Sequence, residues 1–365
     1  MNNGFQIIET KNIKILKSPK YNYSFNKERG TKNTGFFARW GATMNDDPIW
    51  SDFGPEIIDM EVTTRCEGVR DHKGVRKVCK FCYKDNDCNY AKNMTINNFR
   101  KIFNKLPRTV TQIAFGADSQ ATGNPALFDM MHYCRDNKYQ EIFPNITVAD
   151  INQNTANKLM ELCDAVAVSC YMDRDKNVCY DIVETLSQKI PQVNIHMMLS
   201  RETLEYTKTL FEDYKTDKRL SKLNAIVLLS LKCKGRGLNY HPLKQPDFDT
   251  LTRLAIVNRV PIGFDSCSCS KFLNVIRYDE KYKILTSMCE PCESGLFSAY
   301  INADGDFYPC SFMEGVDDWW RGLSVLKAND FIEDIWMNDK TEDWRNKLLK
   351  NVDLHGIRKC PFYDI

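Results

Sequence analysis

The sequence predicts an α/β protein, a partial (β/α)6 TIM-like barrel followed by a small cysteine-rich α+β domain. From residue 56 onward, strand-like apolar runs alternate with amphipathic, helix-like stretches. This alternation implies parallel strands joined by right-handed crossovers. Near residue 260 it gives way to sequence rich in Cys and punctuated by Gly and Pro. A chain of 365 residues, 43% of them hydrophobic, is long enough to bury a large core.

Six strand–helix units account for the predicted barrel. Thr95 is a plausible N-cap for the first helix, and Pro107 ends it. The predicted strands cover 56–64, 110–115, 145–149, 165–170, 193–199 and 224–231, and the predicted helices cover 95–106, 124–137, 153–163, 176–189, 203–214 and 247–258. We divide the chain into an N-terminal extension that wraps the core (1–55), the barrel (56–262) and the smaller domain (263–365).

Composition narrows the classes of function. A formal net charge of +2 gives no general electrostatic reason to bind nucleic acid or acidic lipid. No window approaches the length of an apolar membrane helix, and the polar start lacks the layout of a signal peptide, so we expect a cytosolic protein. Fifteen cysteines are an excess that, in a reducing cytosol, indicates metal binding or catalysis rather than disulfides.

Three cysteines follow the first predicted strand in the order C-x12-C-x2-C. They are Cys66, Cys79 and Cys82, with Phe81 inside the last pair. Thiolates are the ligands that hold iron–sulfur clusters, and a cubane held by only three of them keeps one iron open. Ligands in parallel α/β proteins bind at the carboxyl ends of the strands, where this loop begins. The pattern therefore predicts a catalytic cluster.

The strand, the cysteine loop and the following β/α units resemble the radical S-adenosylmethionine (SAM) enzyme superfamily. The resemblance implies a [4Fe–4S] cluster whose open iron binds SAM, and an electron from the cluster that splits SAM into methionine and a 5′-deoxyadenosyl radical. The usual spacing in the family is C-x3-C-x2-C. Here residues 67–78 form a longer, polar insertion with a turn at Gly74.

The same resemblance implies five residues that contact SAM. Phe81 would lie beside the adenine, and Gly116 and Asp118 occupy the position of the Gly-Gly-Glu-Pro motif that binds the SAM amino group. Ser169 matches a ribose-binding serine, and Arg236 would bind the SAM carboxylate. Ordinary turn residues at strand ends are the alternative for Gly116, Asp118 and Ser169.

Two polar residues on the fifth predicted strand, Asn194 and His196, share one face and could line the barrel interior. A histidine satisfied within the core is the alternative. No catalytic base or radical relay can be chosen from the sequence.

The C-terminal module carries a second cysteine pattern, Cys292-x12-Gly305-x4-Cys310, which resembles the SPASM or shortened twitch domain. A tight turn at 304–306 would return the strand. The resemblance implies one auxiliary [4Fe–4S] cluster held by Cys289, Cys292, Cys310 and Cys360. Cys267 and Cys269 could replace Cys289 or Cys360, and a structural zinc site is the alternative for the group.

Relatives with such auxiliary domains mostly modify peptides or proteins, and the resemblance implies a peptide or protein substrate with a reductase or flavodoxin-type electron donor. In formylglycine-forming relatives an Asp follows the Gly-x4-Cys cysteine, whereas this chain has Ser311. RNA or a small molecule is the alternative substrate. A non-catalytic iron–sulfur protein that binds or transfers electrons is the alternative function.

Overall fold

A computed structural model of the chain describes residues 5–116, 121–277, 283–286 and 289–365. The chain begins with a four-stranded antiparallel sheet of β1 (Gln6–Glu9), β2 (Ile13–Lys17), β3 (Asn22–Asn26) and β4 (Phe37–Trp40). Tyr21, Tyr23 and Phe25 alternate along β3 and its approach, and all three rings are buried. The N-terminal extension is thus a folded sheet. The aromatic residues at every second position of this segment are a sequence signal for such a strand.

The sheet covers the amino ends of the barrel strands. The Tyr21 hydroxyl donates to Glu56 over 2.7 Å, and the Tyr23 hydroxyl lies 2.8 Å from that of Thr111. Arg39, almost fully buried, forms an ion pair with Glu56 at 2.7 Å. Glu56 and Thr111 directly precede strands of the barrel, so this end of the barrel is closed and its opposite end is left for the site.

The barrel units follow the predicted order. Their elements are β5 (Ile57–Met60), β6 (Val69–Arg70), β7 (Arg76–Lys77), α1 (Ile96–Phe103), β8 (Gln112–Phe115), α2 (Leu127–Asp136), β9 (Phe143–Val148), α3 (Gln153–Leu162), β10 (Ala165–Cys170), α4 (Lys176–Leu186), β11 (Gln192–Leu199), α5 (Leu204–Thr216), β12 (Ala225–Ser230), α6 (Gln245–Val257) and β13 (Ile262–Phe264). Thr95 caps α1 as predicted, its side chain accepting from the Asn98 amide. The structure adds β13 and the short β6–β7 hairpin within the cysteine loop.

The C-terminal module extends the barrel sheet. It contains α7 (Cys269–Ile276), α8 (Lys283–Thr286), β14 (Ser298–Ile301), β15 (Asp306–Tyr308), β16 (Leu323–Ser324), a π-helical turn (Ile332–Trp336) and α9 (Asp339–Lys350). The ten-stranded sheet has the order β13-β12-β11-β10-β9-β8-β5-β14-β15-β16 and is parallel up to β14. Gly305 supplies the predicted turn with a φ of +83°.

Successive side chains on the central strands face alternately towards the helices and towards the barrel interior. On β11, Val193, Ile195 and Met197 are buried towards the helices, whereas Asn194 and His196 have the opposite parity. The predicted fold class is confirmed. No helix among the described ranges is long and apolar enough to cross a membrane.

Candidate functional site

The thiols of the cysteine loop meet at the carboxyl end of β5. Cys79 interacts electrostatically with both Cys66 and Cys82, and Cys66 interacts with Cys82. Burial raises the pKa of Cys66, and it raises the pKa of Cys79 to about 12. A buried thiol keeps its proton until a cation replaces it. This set of soft sulfur donors therefore fits an iron–sulfur cluster.

Two arginines hold the loop by its backbone. Arg236 donates from Nε to the Cys79 carbonyl over 2.8 Å and from Nη2 to the Asn86 carbonyl over 3.1 Å. Arg174, which is buried, donates to the carbonyls of Lys77 and Val78 over 3.0 and 2.9 Å. Arg236, which the family resemblance assigns to the SAM carboxylate, thus has its guanidinium against the cysteine loop.

Aromatic side chains form a wall beside the loop. The Phe81 ring lies 5.3 Å from Tyr171 and 5.9 Å from Tyr240, measured between centroids. The Tyr171 hydroxyl forms hydrogen bonds with Ser169 and Cys79, so it links the fourth barrel strand, β10, to the cysteine loop. Tyr171 was missed from the sequence, although its place directly after a strand end was a usable signal.

The other residues implied for SAM fall in different settings. Gly116 follows β8 with a φ of +70°, which favours glycine. Asp118 lies outside the described residues. Ser169 pairs in register with His196 on the neighbouring strand. Burial lowers the pKa of His196 to about 4, although Asp265 opposes the shift, so the imidazole is neutral at pH 7.

A second group of thiols forms in the C-terminal module. Every pair among its four members interacts electrostatically; the members are Cys267, Cys292, Cys310 and Cys360. Burial raises the pKa of Cys292 and Cys310, and it raises the pKa of Cys267 to about 12. Cys289 instead shares a hydrogen bond with Cys269. Cys267 thus lies with the predicted ligands Cys292, Cys310 and Cys360, and Cys289 stays a predicted ligand.

A buried ion pair adjoins this quartet. The Lys232 ammonium forms an ion pair with Asp265 and lies 4.7 Å from the centroid of Phe312. Although burial disfavours its charge, Asp265 and then Cys267 raise the pKa of Lys232. A cation therefore sits beside the sulfur atoms, where it offsets part of the negative charge of a thiolate-bound cluster.

Direct contacts join the two thiol groups. The Tyr83 hydroxyl donates to Ser311 over 2.9 Å, so the neighbours of Cys82 and Cys310 touch. The Tyr83 ring also lies 4.2 Å from Phe312.

Lys84 adds a second contact. Its ammonium donates to the Tyr300 hydroxyl over 2.9 Å and pairs with Glu314. Sequence reasoning predicts no role for Tyr83 or Lys84, because the contacts that join them to Ser311, Tyr300 and Glu314 span more than 200 residues.

Within the described part of the chain, no three His, Cys, Asp or Glu side chains are grouped to hold one metal ion.

Comparison with known proteins supports the assignment of the C-terminal module. Residues 289–361 match the family model SPASM, described as an iron–sulfur cluster-binding domain. This confirms the predicted resemblance, although Cys267 lies outside the matched segment. No curated protein matches the chain.

Solved structures share the fold at low sequence identity. Streptococcus suis SuiB bound to the precursor peptide SuiA aligns with a TM-score of 0.63 and 14% identity, covering 82% of this chain and 68% of SuiB. The anSMEcpe structure with bound AdoMet and the Cp18Cys peptide aligns with a TM-score of 0.53 and 14% identity, covering 79% of this chain and 82% of the other. At this identity the likeness shows the fold.

Proposed function

We propose that the chain, which has the fold of SuiB and anSMEcpe and a SPASM segment at its C-terminus, is a radical SAM enzyme that modifies a peptide or protein. Structures of both neighbours contain a peptide, and both proteins have been solved with SAM. The observation that carries the proposal is the pair of thiol groups, three at the carboxyl ends of the barrel strands and four in the adjoining module.

The ligand sets follow from these groups. Cys66, Cys79 and Cys82 would hold the SAM-binding [4Fe–4S] cluster, and an auxiliary [4Fe–4S] cluster would be held by Cys267, Cys292, Cys310 and Cys360. When bound, the first cluster and SAM supply reductive cleavage of SAM and removal of a hydrogen atom from the substrate.

The protein supplies position and shielding. Arg236 and Arg174 fix the loop that presents the thiols. Phe81 and Tyr171 provide an apolar wall for a nucleoside, and Ser169 offers a hydroxyl at the end of β10. The N-terminal sheet closes the far end of the barrel against water.

We place the protein in a reducing cytosol, where its fifteen cysteines would remain thiols. A reductase or flavodoxin-type protein would deliver the electron.

The test begins with anaerobic purification and reconstitution with iron and sulfide. Iron is then counted, and 5′-deoxyadenosine is assayed after addition of SAM and dithionite.

The wild-type protein should hold about eight irons, for two cubanes, and form 5′-deoxyadenosine. Cys82→Ala should lose the product and about four irons. Cys88→Ser is the matched control, because Cys88 is an exposed thiol near Cys66 and should be dispensable. Full iron without SAM cleavage would refute the enzyme, and zinc in place of iron would refute both clusters.

A further inference from the structure

The insertion between the first two thiols forms the β6–β7 hairpin at the carboxyl end of the barrel. Its strands pair Val69 with Lys77 and Arg70 with Arg76. Gly68 at its base has a φ of +74°, and a side chain there would collide with the Lys77 carbonyl. The insertion is therefore an ordered element of the site.

Two arginines of the hairpin converge on Asp150, which follows β9. The Arg70 amide and Nε donate to its carboxylate over 3.0 and 2.8 Å, and Arg76 Nη2 lies 3.3 Å away. The Asp150 side chain is fully buried, and its φ is +53°. Such a backbone conformation in a non-glycine residue persists where the surroundings enforce it, often at ligand sites.

A cavity of about 380 Å³ opens beside the hairpin. Its cationic wall consists of Arg65, Arg70 and Arg76, whose side chains are 42%, 49% and 38% exposed. Two anionic residues line it: Glu67 pairs with Arg65 over 2.7 Å, and Asp150 is shared by Arg70 and Arg76, so cations exceed anions by one.

The first turn of α3 forms another part of the lining. Asn152, the N-cap of that helix, and Thr155 line the cavity there. The backbone amides at a helix N-terminus favour a negative group, and the guanidinium fork matches the two oxygens of a carboxylate. The site is therefore suited to a carboxylate rather than to a neutral amide.

We propose that this arginine-lined cavity binds an acidic side chain of the peptide substrate, an inference that rests on the proposed function. SAM carries a carboxylate of the same chemistry. However, none of the described residues that the family resemblance assigns to SAM, which are Phe81, Gly116, Ser169 and Arg236, lines the cavity. Arg65 directly precedes Cys66, so a peptide anchored here would lie beside the first cluster.

The test is calorimetric titration of the reconstituted protein at low salt. The probe is an acetylated, amidated peptide of three glutamates flanked by glycines, and its glutamine counterpart is the reference. The glutamate peptide should bind about tenfold more tightly, since hydrogen bonds to charged groups are the stronger ones. Arg65→Gln should abolish the preference. Arg108→Gln should keep it, because Arg108 is 46% exposed and pairs with Glu9 on the N-terminal sheet.

Arg76→Gln serves as the second variant and should also reduce the preference, with iron content measured for each protein. Equal binding of the two peptides to the wild type would overturn the proposal. So would weaker SAM binding in Arg65→Gln with the peptide preference intact, which would assign the cavity to the SAM carboxylate. Preferential binding of the glutamate peptide without 5′-deoxyadenosine formation would support the acidic-peptide site and refute the proposed radical SAM activity.

Discussion

Among single residues, Cys267 and Cys289 have different sulfur neighbours, and we predict different roles for them. Cys267 interacts with three other thiols, whereas Cys289 shares a hydrogen bond with Cys269. We expect Cys267→Ser to lose the auxiliary cluster and about four irons. Cys289→Ser should retain both clusters. Iron content and absorbance after reconstitution measure the difference, and the reverse result would restore Cys289 as a ligand.

His196 should make stability depend on pH. Its folded pKa is about 4, below the ordinary value of about 6.5 for an unfolded chain. The unfolded state therefore binds more protons between these pH values. The contribution of His196 to the free energy of unfolding is fully present above pH 6.5 and is lost as the pH drops towards 4. The loss should be on the order of 2 kcal/mol, since the ring faces the barrel interior and is only half-buried.

Urea unfolding of the apoprotein at pH 7.0 and 5.0 measures this loss. His196→Gln should be less sensitive to pH over that range. Equal pH sensitivity in the variant and the wild type would show that other groups cause the loss.

The choice between Cys267 and Cys289 as a cluster ligand depends on contacts that local sequence does not show. The sequence pairs Cys289 with Cys292 because they are close in the chain, but the partner of a thiol depends on packing between distant segments. The fold brings Cys267, which lies two residues before the start of α7, to the quartet from outside the Cys-x2-Cys pair. Tyr83 and Ser311 were likewise beyond local reasoning, since their contact joins positions 228 residues apart.

At the scale of elements, the β6–β7 hairpin offers a paired test. Gly68 and Gly74 both have positive φ, but a side chain at Gly74 meets nothing within 4 Å, whereas one at Gly68 collides with backbone. Gly74→Ala should cost about 1 kcal/mol of stability. Gly68→Ala should cost more and lower the loading of the first cluster, because the hairpin carries the chain from Cys66 to Cys79.

Iron content and urea unfolding of the two variants measure these effects. Equal loading of the first cluster in both would show that the hairpin does not position the thiols.

The strands and helices of the barrel were predictable because apolar residues recur every second position in a strand and about every 3.6 positions in a helix. The alternation on 193–199 and the capped helix at 95–106 both appear within a few residues of their predicted bounds. The hairpin was missed because strands of two residues carry no periodicity. The N-terminal strands were missed because their short aromatic runs were interpreted as irregular.

At the scale of the whole molecule, the barrel and the C-terminal module should unfold together. They share one sheet through the pairing of β5 with β14, and the Lys84 ammonium donates to the Tyr300 hydroxyl over 2.9 Å. Four of the six tryptophans, at 319, 320, 336 and 344, lie in the module, whereas most helices lie in the barrel. Fluorescence and far-ultraviolet circular dichroism of the apoprotein should therefore give the same urea midpoint. Two separate midpoints would mean that the module is an independent unit.

The parallel pairing of β14 with β5 also has a consequence for the protein before any cluster is inserted. A barrel that stops short of closure leaves a strand whose amides and carbonyls can recruit another polypeptide. Here the module occupies that position, because β14 binds β5 along four residue pairs. A nascent or truncated chain ending before residue 298 would present this open ladder to its neighbours. Because β14 covers this edge in the full chain, we expect truncation before residue 298 to promote self-association.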